Sequence, residues 1–487
     1  MNSIDLEPKV SLPNRQSYIV FGIVAAAFLT ASINTTIVAV ALPRMLEELH
    51  TSLAWVGWTL TGFLLAQSIT MPLAGKLSDE WGARRILLAS VALFTIGSLL
   101  GAVAPNVYVL IFARMLQAVG AGAQMPSATS IVSDAFGDRR ATFIGLFTTI
   151  FPIGGVLGPT IGGFVIDNYS WRWMFYGCVP IGVVILVAGI LLIPRGRSMG
   201  SGRRLDLIGA GIFAFSLVAI LSAMTAWGND AESVRNPLTW LVVVLGVVAM
   251  AVFVWHEGRT PSPVIDLELL RARPFIAANV FNFLYGAVVF SFSLFIPYYA
   301  TIAYGMSAGE SGVVMGPRSA AMVIASTASS IFLIRLGYRL PMILGMVLNA
   351  GSLILVSQGY HDLSLFGWPV PNFVLLSSMV LLAGAAHGTS APPANNASLD
   401  LVPGKVAAVV GLRGMFRSAG GVFSTAAIIL AASNIEDKAA GMQAIFLALG
   451  LISLLAVLVV FLIPDSARQR YLAARNERGR RTTSAAE

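Results

Sequence analysis

A chain of 487 residues with 56% hydrophobic and 11% charged residues, and a mean hydropathy of +0.80, is too apolar for a water-soluble globular protein, where about a quarter of residues are charged. Its net charge of +8 invites a nucleic-acid reading, but the basic residues sit in short loops and the tail, as in a membrane chain. The one cysteine, Cys178, excludes an internal disulfide and argues against a thiolate metal cluster.

In chain order, residues 1–16 form a polar tail. The apolar run that follows is too long for a signal-peptide core and has no small-residue cleavage site after it, so it counts as a first span. Charge and turn residues then separate fourteen apolar runs, near 17–42, 54–75, 86–104, 107–133, 141–166, 173–193, 207–227, 237–255, 274–300, 309–334, 341–358, 372–397, 406–432 and 440–463. An even number puts both ends on one side. Of the 31 Lys and Arg, 23 fall in the set of loops that includes both tails, four in the alternate set and four inside spans, which predicts cytoplasmic termini.

The halves echo each other. GLFTTIFPIGG at 145–155 returns as GLRGMFRSAGG at 411–421, and GARRILLASVALFTIGSL at 82–99 is answered, with one gap, by GYRLPMILGMVLNAGSL at 337–353. The repeats flank runs seven and eight. This divides the chain into a tail (1–16), six spans (17–193), a linker with two added spans (194–273), six further spans (274–463) and a basic tail (464–487).

Four stretches carry more than hydropathy. The first run ends SINTTIVAVALP (32–43), and Asn34 lies in it. Between runs two and three stands Gly75-Lys-Leu-Ser-Asp79-Glu-Trp-Gly82-Ala-Arg84-Arg85. Run four holds Arg114-Met-Leu-Gln117, deep in apolar sequence where a charge needs a partner or water. Run five is GLFTTIFPIGGVLGPTIGG, with Gly145, Gly154, Gly155, Gly158, Gly162, Gly163 and Pro159. Such residues weaken a helix in water but let membrane helices approach and bend.

Together these resemble the fourteen-span drug:proton antiporters of the major facilitator superfamily, over essentially the whole chain. The loop resembles the Gly-x-x-x-Asp-x-x-Gly-x-Arg-Arg signature and the fifth run the antiporter motif. Residues 32–43 are similar to Leu-Asp-x-Thr-Ile-Val-x-x-Ala-Leu-Pro, with Asn34 standing where the family has Asp. The family's Arg-x-x-Gln-Gly ends here in Ala118. The resemblance implies an all-α integral membrane protein of two six-helix bundles plus two central spans, with no enzymatic activity and no cofactor beyond a proton gradient. It implies multidrug efflux by alternating access in a bacterial inner membrane. Partners would be a small-molecule substrate and the bilayer, not nucleic acid, with an outer-membrane or adaptor partner left open.

By resemblance, Gly75, Asp79, Gly82, Arg84, Arg85, Asp134 and Arg139 form a latch that breaks as the carrier turns, and runs 1, 4, 9 and 12 line the cavity. The polar residues expected there are Asn34, Arg114, Gln117, Gln124, Asn279, Asn282, Tyr285, His387, Asn395 and Asn396. Asn cannot titrate, and every acidic residue lies in a loop or at a span end. Proton-carrier candidates therefore shift to His387, Glu310 and Asp134. Arg318, Arg413 and Arg417 suit an anionic group on a substrate, or partial neutralisation by Glu310. An anionic or zwitterionic metabolite, and a facilitator without proton coupling, stay open as alternatives.

Overall fold

The computed structural model describes residues 14–136, 150–195, 206–260, 272–365, 368–401, 406–433 and 435–465, with 143, 146, 147 and 263 beside them. Among these residues fourteen long helices follow in chain order: α1 Asn14–Glu48, α2 Leu53–Trp81, α3 Ala83–Ala102, α4 Val107–Phe136, α5 Ile150–Asn168, α6 Cys178–Leu192, α7 Leu207–Asn229, α8 Pro237–Glu257, α9 Arg273–Tyr304, α10 Met315–Leu336, α11 Arg339–Ser357, α12 Asn372–Asp400, α13 Val406–Ser433 and α14 Lys438–Val460. Each falls on one of the fourteen apolar runs. Two runs are broken: Gly177 separates the one-turn helix Trp173–Tyr176 from α6, and Val314 separates Ala308–Val313 from α10. A two-residue hairpin, Ser364–Leu365 against Trp368–Pro369, joins α11 to α12.

Side-chain caps set where several helices begin, because the first turn of a helix leaves N–H groups without partners. Ser52 accepts from Trp55 N–H, Asp206 from Gly209 N–H, Asn236 from Leu238 N–H, and Asp437 from the N–H groups of Ala439 and Ala440. Among the described residues eleven helical stretches are long and apolar enough to cross a membrane by length and composition; the other three long helices are α2, α5 and α10.

Helices α1–α6 pack on one another, as do α9–α14. The two groups meet mainly along two seams, α2 against α13 and α5 against α10 with the short helix Ala308–Val313, with a smaller contact of α1 on α9 and on that short helix. Gly57 faces Ile429 and Gly414 faces Met71 across the first seam. The added pair, α7 and α8, is held together at Gly246, whose carbonyl accepts from Ser216 Oγ at 2.7 Å. Helix α7 lies against both α2 and α13, and Trp58 Nε1 donates to Thr225 Oγ1 at 2.6 Å.

The internal repeat has a geometric counterpart. Gly82 and Gly337 both take positive φ, +92° and +76°, a region that disfavours any residue with a Cβ. Two residues on, Arg84 Nη2 donates to Ile190 O at 2.6 Å near the end of α6. Arg339 Nε donates to Ile463 O at 2.8 Å just beyond α14. Each arginine ties the third helix of its bundle to the sixth.

Candidate functional site

Arg114 stands at the centre of the first bundle and is fully buried. Its Nε donates to Thr59 O on α2 at 3.2 Å, and its Nη1 donates both to Gln117 Oε1 at 2.9 Å and to Asn34 Oδ1 on α1. Gln117 Nε2 passes the network to Ser98 Oγ on α3 at 2.7 Å, and Asn34 Nδ2 points to Cys178 Sγ on α6 at 3.6 Å. The Phe63 ring lies under the guanidinium at 4.2 Å. A buried charge needs its donors satisfied, and here oxygens and a π face do so without a carboxylate. The network thus reaches five helices. Thr59, Ser98 and Cys178 carry no sequence signal for this role. Gln124 is also buried, but its Oε1 has no partner.

The second bundle holds a different arrangement. Close glycine contacts bring its helices together: a Cβ added at Gly286 would meet the Arg417 carbonyl carbon at 2.7 Å, and one at Gly384 the Arg318 carbonyl carbon at 2.6 Å. Arg318 and Arg417 therefore spring from close α10–α12 and α9–α13 approaches. Tyr285, on α9, donates to His387 O at 3.4 Å, its ring meets the His387 ring edge-on at 5.2 Å, and its hydroxyl lies within electrostatic range of Arg318, Arg413 and Arg417. Arg413 donates to Asn395 Oδ1. Arg318 Nε, Arg417 Nε and His387 Nδ1 are withdrawn from solvent and have no hydrogen-bond partner among the described residues. Among the described residues no carboxylate pairs with any of the four membrane arginines.

Other expected site residues are placed elsewhere. Asn279 and Asn282 donate back to Phe275 O and Ala278 O of their own helix, at 2.9 and 2.7 Å, and exposed Asn396 donates to Pro392 O. Glu310 does not neutralise the arginines. It is exposed and closes a capping box with Ser307, accepting from Ser307 N–H at 2.9 Å, because a free helix start draws a carboxylate at that spacing. The Ser-x-x-Glu pattern was visible in the sequence. Asp134 is exposed at the end of α4. In the latch segment Gly75 faces open space, Arg84 holds the end of α6 and Arg85 is exposed. The Asp79 side chain, Arg139 and Gly145 lie outside the described residues.

The glycines of α5 divide into two sets. A Cβ at Gly158 would lie 2.8 Å from Ile33 O, one at Gly162 2.7 Å from Ile37 Cγ1, and one at Gly154 would strike Ser32, all on α1. These three are four residues apart and form one stripe. Gly163 faces Ala308 and Gly309 of the opposite bundle, and the Pro159 carbonyl packs on Gly312 there, whereas Gly155 faces open space. At the end of this contact Asp167 Oδ2 accepts from Gly309 N–H at 2.7 Å and Ser307 Oγ at 3.5 Å. That joins the bundles at the end opposite the two termini, through an aspartate the sequence did not single out.

At the other end Asp206, nearly buried, contacts His256 Nε2 at 3.0 Å, linking the start of α7 to the last turn of α8. Burial alone raises its carboxyl. The Gly209 N–H and His256 outweigh that and hold it below the usual carboxylate range.

The family model described as Major Facilitator Superfamily matches residues 24–356 and 278–485. The chain is 30% identical over 349 residues to the multidrug transporter protein MdtP of Bacillus subtilis (strain 168), a match covering 71% of this chain and 63% of that protein. It thus spans somewhat less than two thirds of that relative. It is 31% identical over 423 residues to the tetracenomycin C resistance and export protein of Streptomyces glaucescens, covering 85% of this chain and 76% of the other. A crystal structure of a POT family transporter in complex with thioalcohol conjugated peptide superposes with a TM-score of 0.67 at 16% identity, over 92% of this chain and 95% of that one. At that identity the likeness concerns the fold.

Proposed function

The chain belongs to the major facilitator superfamily, and from that premise we propose that it exports amphipathic small molecules by proton antiport, its two bundles rocking about a central site. The relatives named as a multidrug transporter and as a resistance and export protein support the direction of traffic. The observation that carries the reading is the double packing of α5. One stripe of glycines seats it on α1, and Gly163 and Pro159 seat it on the other bundle, so a rigid helix serves as bearing between two bodies. The same reading puts both termini in the cytoplasm of a bacterium, on the strength of the loop charges, and makes the Asp167 contact an outer closure. Of the three proposed proton carriers, Glu310 is committed to a cap and Asp134 is exposed. His387 remains as the deep titratable side chain with a vacant ring nitrogen.

Counterflow in proteoliposomes with an imposed pH difference tests the proposal. Outward-directed movement of an amphipathic dye, whether anionic, neutral or cationic, that rises with the inward proton gradient is the expected result; no dependence on the gradient for any of them defeats antiport. A second reading, uncoupled exchange or facilitation, is favoured by one observation: neither buried cluster holds a carboxylate among the described residues. It predicts flux indifferent to pH jumps.

A further inference from the structure

The two buried arginine clusters are built for different ends. Around Arg114 every polar neighbour turns an oxygen inward, the guanidinium rests on Phe63, and no part of the residue is exposed. That charge is consumed by the bundle itself. Around Tyr285 the balance is reversed. Arg318 on α10 and Arg413 and Arg417 on α13 all lie within electrostatic range of one hydroxyl, Arg413 donates to the Asn395 amide, and among the described residues two Nε donors and one imidazole nitrogen are left without partners. Like charges gathered in apolar surroundings repel one another, and each donor left unpaired out of water is destabilising. A fold that brings Gly286 and Gly384 against the arginine-bearing turns has packed its backbone tightly to place these charges together.

We infer that Arg318, Arg413 and Arg417, with the Tyr285 hydroxyl, form a receptor for one anionic group, a carboxylate or sulfonate carried on an apolar body. The inference rests on the transport reading and names its substrate class. The missing counter-charge arrives with the cargo. A carboxylate is flat and accepts two parallel N–H bonds from a guanidinium fork, and Arg417 and Arg318 each hold an N–H in reserve. The rest of the ligand meets aromatic walls: Phe281 stacks on Tyr285 at 5.8 Å, and Phe290 lies 5.7 Å from the Arg417 guanidinium. Basic amphiphiles would add a further positive charge to the three arginines and are disfavoured there.

The test uses dansylglycine, its uncharged methyl ester, and the cation rhodamine 6G on purified full-length protein. Charge-assisted hydrogen bonds of this kind discriminate by about tenfold or more. Dansylglycine should therefore bind at least about tenfold tighter than its ester. Arg318→Gln and Arg417→Gln should each bring that ratio towards one without weakening the ester, while Arg417→Lys keeps part of it. Equal binding of acid and ester to the unaltered protein, or a ratio that survives both glutamine variants, overturns the anion receptor. The acid-to-ester comparison needs no variant, so a variant that fails to fold does not rescue the proposal. Counterflow separates the two readings. Movement of rhodamine 6G without any acid preference overturns the receptor and leaves export standing; a full acid preference with no flux of any probe supports the receptor and defeats export.

Discussion

Arg114 and Arg417 are the same side chain in similar apolar surroundings, yet their neighbours give them separate work. Removing the Arg114 guanidinium leaves Asn34 Oδ1, Gln117 Oε1 and Thr59 O facing a void, so Arg114→Ala is expected to cut counterflow at least about tenfold. Arg114→Lys keeps the charge and loses the fork, and should fall between the two. Counterflow normalised to folded protein by size-exclusion profile checks both. Full activity in Arg114→Ala would remove the network from the transport cycle. The sequence exposed Arg114 and Gln117 because a charge in an apolar run is conspicuous. It did not expose Ser98 or Cys178, since a serine or a cysteine in a membrane helix is ordinary until its neighbours are known. Asn34 was legible as a departure from Asp. What it does instead, accepting from the arginine while donating towards Cys178, depends on an arrangement of helices that spacing alone does not encode.

At the level of the element, helix α5 shows how strict a glycine requirement can be and where it relaxes. Gly158 and Gly162 touch α1 with no room for a side chain, while Gly155, inside the same motif, faces open space. Gly158→Val and Gly162→Leu should each cost at least about 1–3 kcal/mol by overpacking and abolish transport, whereas Gly155→Ala should be silent. Thermal stability in detergent together with counterflow reads both effects. The motif was recognisable as a pattern, but the pattern does not say which glycine meets which helix. The broken tenth run gives the opposite lesson. Ser307 and Glu310 formed a legible cap, and the tempting reading of Glu310 as a counter-charge gave way to it because the cap satisfies backbone donors at the helix start. The start of α7 offers a pH test. Because the Asp206 carboxyl is held below its ordinary range in the folded protein, its contribution is present above about pH 4 and lost as pH falls through the lower folded value. Asp206→Asn should narrow the difference in melting temperature between neutral and acid buffer; an unchanged difference would show that the cap carries none of it.

For the whole molecule, the fourteen helices were readable from hydropathy, and the twofold echo from the 82–99 and 337–353 match. The echo proves physical, since Arg84 and Arg339 make the same kind of tie in each bundle. The relation between bundles was not readable, because it rests on contacts between residues far apart in the chain. Asp167 is one such contact. With Asp167→Ala the Gly309 N–H and Ser307 hydroxyl lose their acceptor, and the end away from the termini should open more often. Spin-label distances across that end should gain a longer component; an unchanged distribution would deny Asp167 a gating part.

The added helices have a further consequence for how cargo arrives. Helix α7 is wedged against α2 and α13, so one of the two seams between the bundles is screened from lipid. Among the described residues no helix covers the other seam, and Ile153, Leu157, Phe164, Ile324 and Phe332 are exposed on its helices. Under the export reading, a passenger dissolved in the bilayer is expected to enter along that second seam. A lipid-soluble photoreactive probe should mark α5 and α10 and spare α2 and α13; equal labelling of both seams would show that α7 screens neither.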